Sequence, residues 1–341
     1  MRGNPSTPGR VTMLAVKKGA RSHAMNGKLP PTNGRPVTPS WVGRVPQLKP
    51  ALYADGLPIH HLEYLCCKLI LRPNKFVSRD SFFELGKVMR APAKEHGVDF
   101  TAKGFDERPV KIREVLFIDT EDFRLYNNAF ILRRRIFYQD GFPVGEPEIV
   151  FKFRHPTLQT AAETDVRPNI RGDHEVKFKC QALPLKEKLG GIRLLFSHNV
   201  QFPSSAIGLG HGSMHEMDSL VELFPALAKV KREPKERLRL VSNTVIEEVL
   251  QDVGILDFGQ GICCKASVAL WRTRGQHRPL IGELGFQFRF KDRSQLGSEA
   301  LRRGEAFFID LQYAAQQYVV LNATKTATVY RLLGNPPKSH E

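Results

Sequence analysis

Several runs of eight to ten residues between Leu65 and Lys291 place apolar side chains at every second position, with mostly lysine and arginine between them. Neighbouring side chains on a strand point to opposite faces. Each run therefore reads as a strand with one apolar and one basic face. In "AFILRRRIFY" one face carries Arg133, Arg135 and Phe137, and the other Leu132, Arg134, Ile136 and Tyr138. In "EIVFKFRH" Lys152 and Arg154 lie opposite Phe151 and Phe153. In "HEVKFKC" Glu175, Lys177 and Lys179 lie opposite Val176 and Phe178. In "LCCKLILR" Cys66, Lys68, Ile70 and Arg72 oppose Leu65, Cys67, Leu69 and Leu71. In "IGELGFQFRFK" Glu283, Gly285, Gln287, Arg289 and Lys291 oppose Leu284, Phe286, Phe288 and Phe290. Arg272 and Arg274 share a face with Leu270.

An ordinary sheet with one wetted face accounts for the alternation. It accounts less well for the sign, because wetted faces normally mix positive and negative charge. The alternative is a sheet closed into a barrel, with the apolar faces under helices and loops and the basic faces inside. Such an interior repels itself unless a polyanion fills it. Phosphate suits that role, since arginine binds it bidentately and lysine as a point charge. Glu175 and Glu283 are then the acids available to hold a divalent cation that bridges phosphate oxygens.

The remaining pattern is compatible with either arrangement. "SRDSFFELGKVMRAPAKEHG" predicts one helix, with Ser81 and Glu84 at capping-box spacing and Gly97 at its end. Residues 112–120 read as a strand, 121–128 as a turn with helical character, and 192–200 as another strand. "QDGFPVGEP" has hairpin-turn chemistry. Residues 240–256 have a mixed pattern, 263–274 are strand-like, and 297–333 are largely helical, with Phe308, Leu311, Ala315 and Tyr318 on one face. The fold class expected is α+β, an antiparallel closed β-barrel covered by helices.

Charge is unevenly distributed. Of a formal net charge of +16, nine Lys/Arg and no acid precede Asp55. Residues 1–55, rich in Pro, Gly, Ser and Thr, are expected to be disordered. They resemble a transit peptide in lacking acids and show no secretory apolar region. They are also where non-specific nucleic-acid binding would reside, through phosphate contacts. A single domain is expected over 56–335, in two lobes of about 62–202 and 236–335, followed by a tail, 336–341. No apolar run approaches the roughly 20 residues of a membrane span, and a cytoplasmic location is expected. The five cysteines include two vicinal pairs and no C-x-x-C, which argues against a disulfide scaffold or a zinc knuckle.

"LFIDTEDFRLYNNAFILRRR" resembles the D-T-x-D…L-R-x-R segment of the CYTH proteins, the triphosphate tunnel metalloenzymes. "EIVFKFR" and "IGELGFQFRF" resemble that family's following basic strand and its late acidic strand. The resemblance implies a tunnel of about eight antiparallel strands. It also implies a phosphohydrolase, or a phosphoryl- or nucleotidyl-transfer enzyme, acting on a triphosphate or polyphosphate with Mg²⁺ or Mn²⁺. Lys68, Arg133, Arg135, Lys152 and Arg154 become phosphate contacts under it, with Lys177, Arg272 and Arg289 as further basic candidates. Glu283 becomes a metal ligand and catalytic residue, and Glu175 a second. Two departures stand out. Tyr64 and Cys66 occupy positions where the first strand of the family carries acids, and Gly285 stands two residues after Glu283, where a second acid is usual. A polyphosphate- or nucleotide-binding protein with weak or no catalysis is therefore the alternative.

His211 and His215 in "HGSMH" have i, i+4 spacing but a loop-like context, and "GLGHG" lacks the Lys-Ser/Thr of a phosphate-binding loop. Asp119 and Asp122 read chiefly as caps of the turn after their strand. Lys325 could reach the tunnel from the last helix, although a solvated lysine is the simpler expectation.

Overall fold

The structure, a computed structural model, describes residues 41–207, 215–290 and 292–333. The motif "GLGHG", His211, Lys291 and residues 1–40 and 334–341 lie outside the described residues. In chain order the elements are α1 (Trp41–Arg44), β1 (Tyr64–Leu71), α2 (Asp80–Val88), α3 (Arg90–Glu95), β2 (Asp99–Thr101), β3 (Lys111–Thr120) and α4 (Arg124–Asn127). There follow β4 (Phe130–Gln139), β5 (Phe142–His155), α5 (Leu158–Glu163), β6 (Glu175–Pro184), β7 (Ile192–Pro203) and α6 (Met217–Leu223). The last are β8 (Leu238–Leu240), β9 (Ile246–Asp257), β10 (Cys263–Thr273), β11 (Pro279–Arg289), α7 (Glu299–Ala314) and α8 (Lys325–Tyr330).

The strands hydrogen-bond in the order β2-β9-β10-β11-β1-β6-β7-β5-β4-β3-β8, and β3 pairs again with β9. That last pairing closes nine strands into a barrel, leaving β2 and β8 as short additions. The closed α+β barrel expected from the alternation is present, with one difference. β1 runs parallel to β6, from Tyr64 beside Lys179 to Cys67 beside Ala182, so the barrel is mixed rather than wholly antiparallel. Strands from both expected lobes share the one ring, joined where β1 meets β11 and β3 meets β9.

Local chemistry explains most of the elements. Asp140 and Gly141 both take positive φ, 51° and 86°, as a tight two-residue hairpin between β4 and β5 requires. The single helix expected over 78–97 is instead two, because Pro92 has no N–H to give and its ring collides with the preceding turn. The Ser81–Glu84 capping box does not form; the Ser81 hydroxyl donates to the Ser78 carbonyl instead. Residues 240–256, mixed in pattern, are mainly the long strand β9.

The outer faces carry two cores. One lies beneath α2, α3 and α7 and includes Leu65, Cys67, Leu69, Phe286 and Phe288. The other lies beneath α6 and includes Leu132, Phe151, Val200 and Phe224. The first core also buries Trp41, Val45 and Tyr53, and the Trp41 N–H donates to Glu305 Oε2 at 2.7 Å. The expectation of disorder as far as residue 55 is therefore corrected: the chain is packed from Trp41 onward, through large apolar side chains set among the prolines. The cysteines are free, with Cys66 and Cys67 on opposite faces of β1.

A third core lies inside the barrel. Ile70, Phe117, Ile131, Leu183, Leu195 and Trp271 come from inward-facing positions of six strands, and Val329 and Tyr330 of α8 pack among them. One end of the interior is thus filled with apolar side chains. The other holds the cavity described next.

Candidate functional site: a cationic cavity inside the barrel

The cavity has a volume of about 580 Å³. Its wall carries ten Lys/Arg side chains and two acids, Glu248 and Glu283. Strand alternation delivers them. β4 supplies Arg133 and Arg135, β5 Lys152 and Arg154, β6 Lys177 and Lys179, and β1 Lys68. All are candidates from the basic faces. Arg113 of β3, Lys265 of β10 and Lys325 of α8 complete the set.

The arginines that end "AFILRRR" divide as alternation requires. Arg133 and Arg135 line the cavity, whereas Arg134 does not. Arg135 Nη1 donates to Glu148 Oε2 at the rim (3.0 Å). Arg133 lies over the Phe117 ring, 5.8 Å from its centroid. Neither Arg133 nor Lys152 has a carboxylate partner among the described residues. Burial, and then the repulsion of Arg135, Arg113 and Arg154, lowers the Arg133 pKa well below its ordinary value. Burial, followed by Arg133 and Arg154, does the same to Lys152. These groups strain against their charge, and an anion between them would relieve it.

The two acids are already engaged. Glu283 Oε1 meets Lys325 Nζ at 3.0 Å, and Oε2 meets Lys68 Nζ at 3.4 Å. Burial raises the Glu283 pKa, but Lys325 and Lys68 overcome it and bring the carboxyl down to about 2. Glu248 Oε1 accepts from Trp271 Nε1 at 2.6 Å and from Lys325 at 2.9 Å, while Oε2 accepts from Arg113. Every carboxylate oxygen thus has a cationic or N–H donor. Mg²⁺ or Mn²⁺ requires several free oxygens. The residues as arranged do not fit a resident divalent cation. Among the described residues, three metal-capable side chains come within reach of one another at Glu95, His96 and Asp310, none of which lines the cavity.

Three predicted site residues stand elsewhere. Arg272 shares its face with Leu270 as expected, but that face is the outer one, and Arg272 binds Glu247 there. β10 has apolar residues on both faces, so its pattern does not mark the inside. Arg289 sits on the inward face but beyond the cavity, 5.6 Å from the ring of Tyr64. Glu175 is also at the mouth, 56 % exposed, paired with Lys177 at 2.6 Å and accepting from Gln201 at 2.7 Å. It belongs to an acidic groove with Glu146, Glu148 and Asp173, outside the cavity. Lys325, expected in solvent, is in the cavity with 13 % of its side chain exposed.

Asp119 has a structural place. Its Oδ1 accepts from the N–H groups of Thr120 and Leu125 (2.7 and 2.9 Å). Its Oδ2 accepts from the Tyr126 N–H and the Tyr330 hydroxyl (3.0 and 3.1 Å). Burial raises its pKa to about 7 despite those bonds. The D-T segment therefore caps α4 and ties down α8, the element that carries Lys325. Asp122 is exposed and contributes a carbonyl to Asn127.

No family model and no curated protein matches the chain. Solved structures similar to it include a candidate adenylyl cyclase from Hippeastrum with a dominant triphosphatase activity. That protein is 13 % identical over 79 % of this chain and 95 % of its own, with a TM-score of 0.37. A candidate adenylate cyclase from Bacillus halodurans is 11 % identical over 78 % and 95 %, with a TM-score of 0.32. A Pyrococcus horikoshii protein is 12 % identical over 72 % and 89 %, with a TM-score of 0.29. No helix among the described residues is long and apolar enough to cross a membrane.

Proposed function

We propose that the protein binds a triphosphate-containing molecule or a longer polyphosphate inside the barrel. The observation that carries this reading is the charge of the cavity inside the barrel, ten cations against two acids that are themselves neutralised. Arg133 and Lys152 repel one another and neither has a carboxylate ion pair among the described residues, and phosphate oxygens are the partners their geometry suits. Lys68, Arg135, Arg154 and Lys177 extend the same surface. Under this reading the chain is a divergent relative of the triphosphate tunnel proteins that residues 116–135 resemble.

Hydrolysis or group transfer with Mg²⁺ or Mn²⁺ is the second reading, favoured by Glu283 standing beside Glu248 among the cations. It requires both carboxylates to be released from Lys325, and Glu175 is too far out at the mouth to share the cavity.

The test is thermal denaturation with tripolyphosphate, ATP, sulfate and duplex DNA, in EDTA and in Mg²⁺, with phosphate release followed in the same samples. Tripolyphosphate is expected to raise the melting temperature in EDTA, by binding the folded state. That rise is expected to vanish in Arg133→Ala/Lys152→Ala. No rise with either phosphate compound would end the proposal. Phosphate release lost in Glu283→Gln would establish the second reading.

A further inference from the structure

Lys325 is where the two cavity acids meet. Its Nζ lies 2.9 Å from Glu248 Oε1 and 3.0 Å from Glu283 Oε1, and 4.8 Å from the centroid of the Trp271 ring. The lysine does not belong to the barrel wall. It is the first residue of α8, fixed by Thr324 Oγ1 accepting the Ala327 N–H (3.1 Å) and by the Tyr330–Asp119 hydrogen bond (3.1 Å). The helix is anchored in the apolar end and delivers one ammonium group between two carboxylates of the other end. Carboxylates on β9 and β11 converging on one cation form the donor arrangement a divalent ion uses. Crowding does not account for there being only two acids. A Cβ at Gly285 would meet nothing nearer than the Cys67 carbonyl oxygen, at 3.5 Å.

We propose that Lys325 takes the place of a divalent cation between Glu248 and Glu283, so that the cavity accepts its polyanion without metal. This rests on the polyphosphate reading of the cavity, but the position of Lys325 can be tested without a phosphate ligand. Mn²⁺ is titrated into metal-free protein and free Mn²⁺ is followed by electron paramagnetic resonance. The samples are the unaltered chain, Lys325→Ala and Lys325→Ala/Glu283→Gln. Lys325→Ala is expected to bind Mn²⁺ about tenfold more tightly than the unaltered chain, or better. The double variant is expected to lose that gain, which separates the cavity from acids on the outer helices.

A folded Lys325→Ala that binds Mn²⁺ no better than the unaltered chain overturns the proposal, as does a gain that survives Glu283→Gln. Should Lys325→Ala lack a cooperative melting transition, Lys325→Met keeps an unbranched side chain of similar length without the charge and makes the same measurement. Tripolyphosphate binding in EDTA is measured in parallel. A Mn²⁺ gain without tripolyphosphate binding removes the polyphosphate reading and leaves the exchange of cations standing. Tripolyphosphate binding without a Mn²⁺ gain does the reverse.

Discussion

The two ends of the barrel interior are built by the same strands and do opposite things. β1 turns Lys68 toward the cavity and, two residues on, Ile70 into the apolar end. β4 does this in the other direction with Arg133 and Ile131, and β10 passes from Lys265 to Trp271 over six residues in the same direction as β1. The apolar end gains from leaving water and needs no partner. The cationic end loses hydration and repels itself, and its few acids, Glu248, Glu283 and Glu148, offset only part of that charge. The difference teaches that the inside of a small barrel is not one environment, and that a shift of two residues along a strand is enough to pass from an apolar core to a charged cavity.

The largest way to break this division is at the apolar end. Phe117 is fully buried, edge-on to Tyr330 at 5.9 Å and near Trp271 at 5.7 Å. Phe117→Ala is expected to cost about 3–5 kcal/mol of stability, measured by urea denaturation, while the folded fraction keeps its affinity for tripolyphosphate. The reverse pattern is expected at the other end. Arg133→Ala/Lys152→Ala is expected to lower tripolyphosphate affinity by roughly a hundredfold, two charge-assisted contacts being lost, and to raise the melting temperature of the free protein. Calorimetric titration and a thermal melt read the two effects separately. A fall in both would show that the cations also hold the fold.

Asp119→Asn tests the link between the ends, because it loosens α8. It is expected to cost about 1–2 kcal/mol, the scale of a lost helix cap, with a smaller loss of affinity as Lys325 loses its anchor. The smallest effect is one of pH. Lys152 is held well below its ordinary value of 10.5 by burial and by Arg133. The unfolded chain therefore binds more protons than the folded one between the two values. The stability gained is complete above pH 10.5 and is lost as pH falls through the folded value. Raising pH toward 10.5 is thus expected to stabilise the free protein and weaken tripolyphosphate binding. Melts across that range, with and without the ligand, check both signs.

Much of this interior was legible in the sequence, because closing a sheet preserves alternation. Lys68, Arg133, Arg135, Lys152, Arg154, Lys177 and Glu283 all line the cavity as their strand faces indicated. Alternation failed where both faces of a strand are apolar, which put Arg272 on the wrong side. It also failed to reveal Glu248, because residues 240–256 have a mixed pattern; once β9 is known to be a strand, one of the adjacent pair Glu247–Glu248 must face inward. Arg113 stood in a recognised strand whose inner face was not followed through to it. Lys325 could be named as able to reach the tunnel, but no strand face or spacing favours that over solvent. Its place depends on how α8 docks through Tyr330 and Asp119, a contact 211 residues long in sequence.

The position of β1 has a further consequence, for the time course of folding. Its Lys68 pairs with Glu283 of β11, 215 residues later, and loops of that length close slowly. β4 and β5 precede β11 in the chain by more than a hundred residues, so their basic faces are expected to stay open to solvent, and to any polyanion nearby, until β11 joins the ring. A polyphosphate present while the chain refolds would then act on the rate of closure as well as on the finished barrel, as a template before it is a ligand.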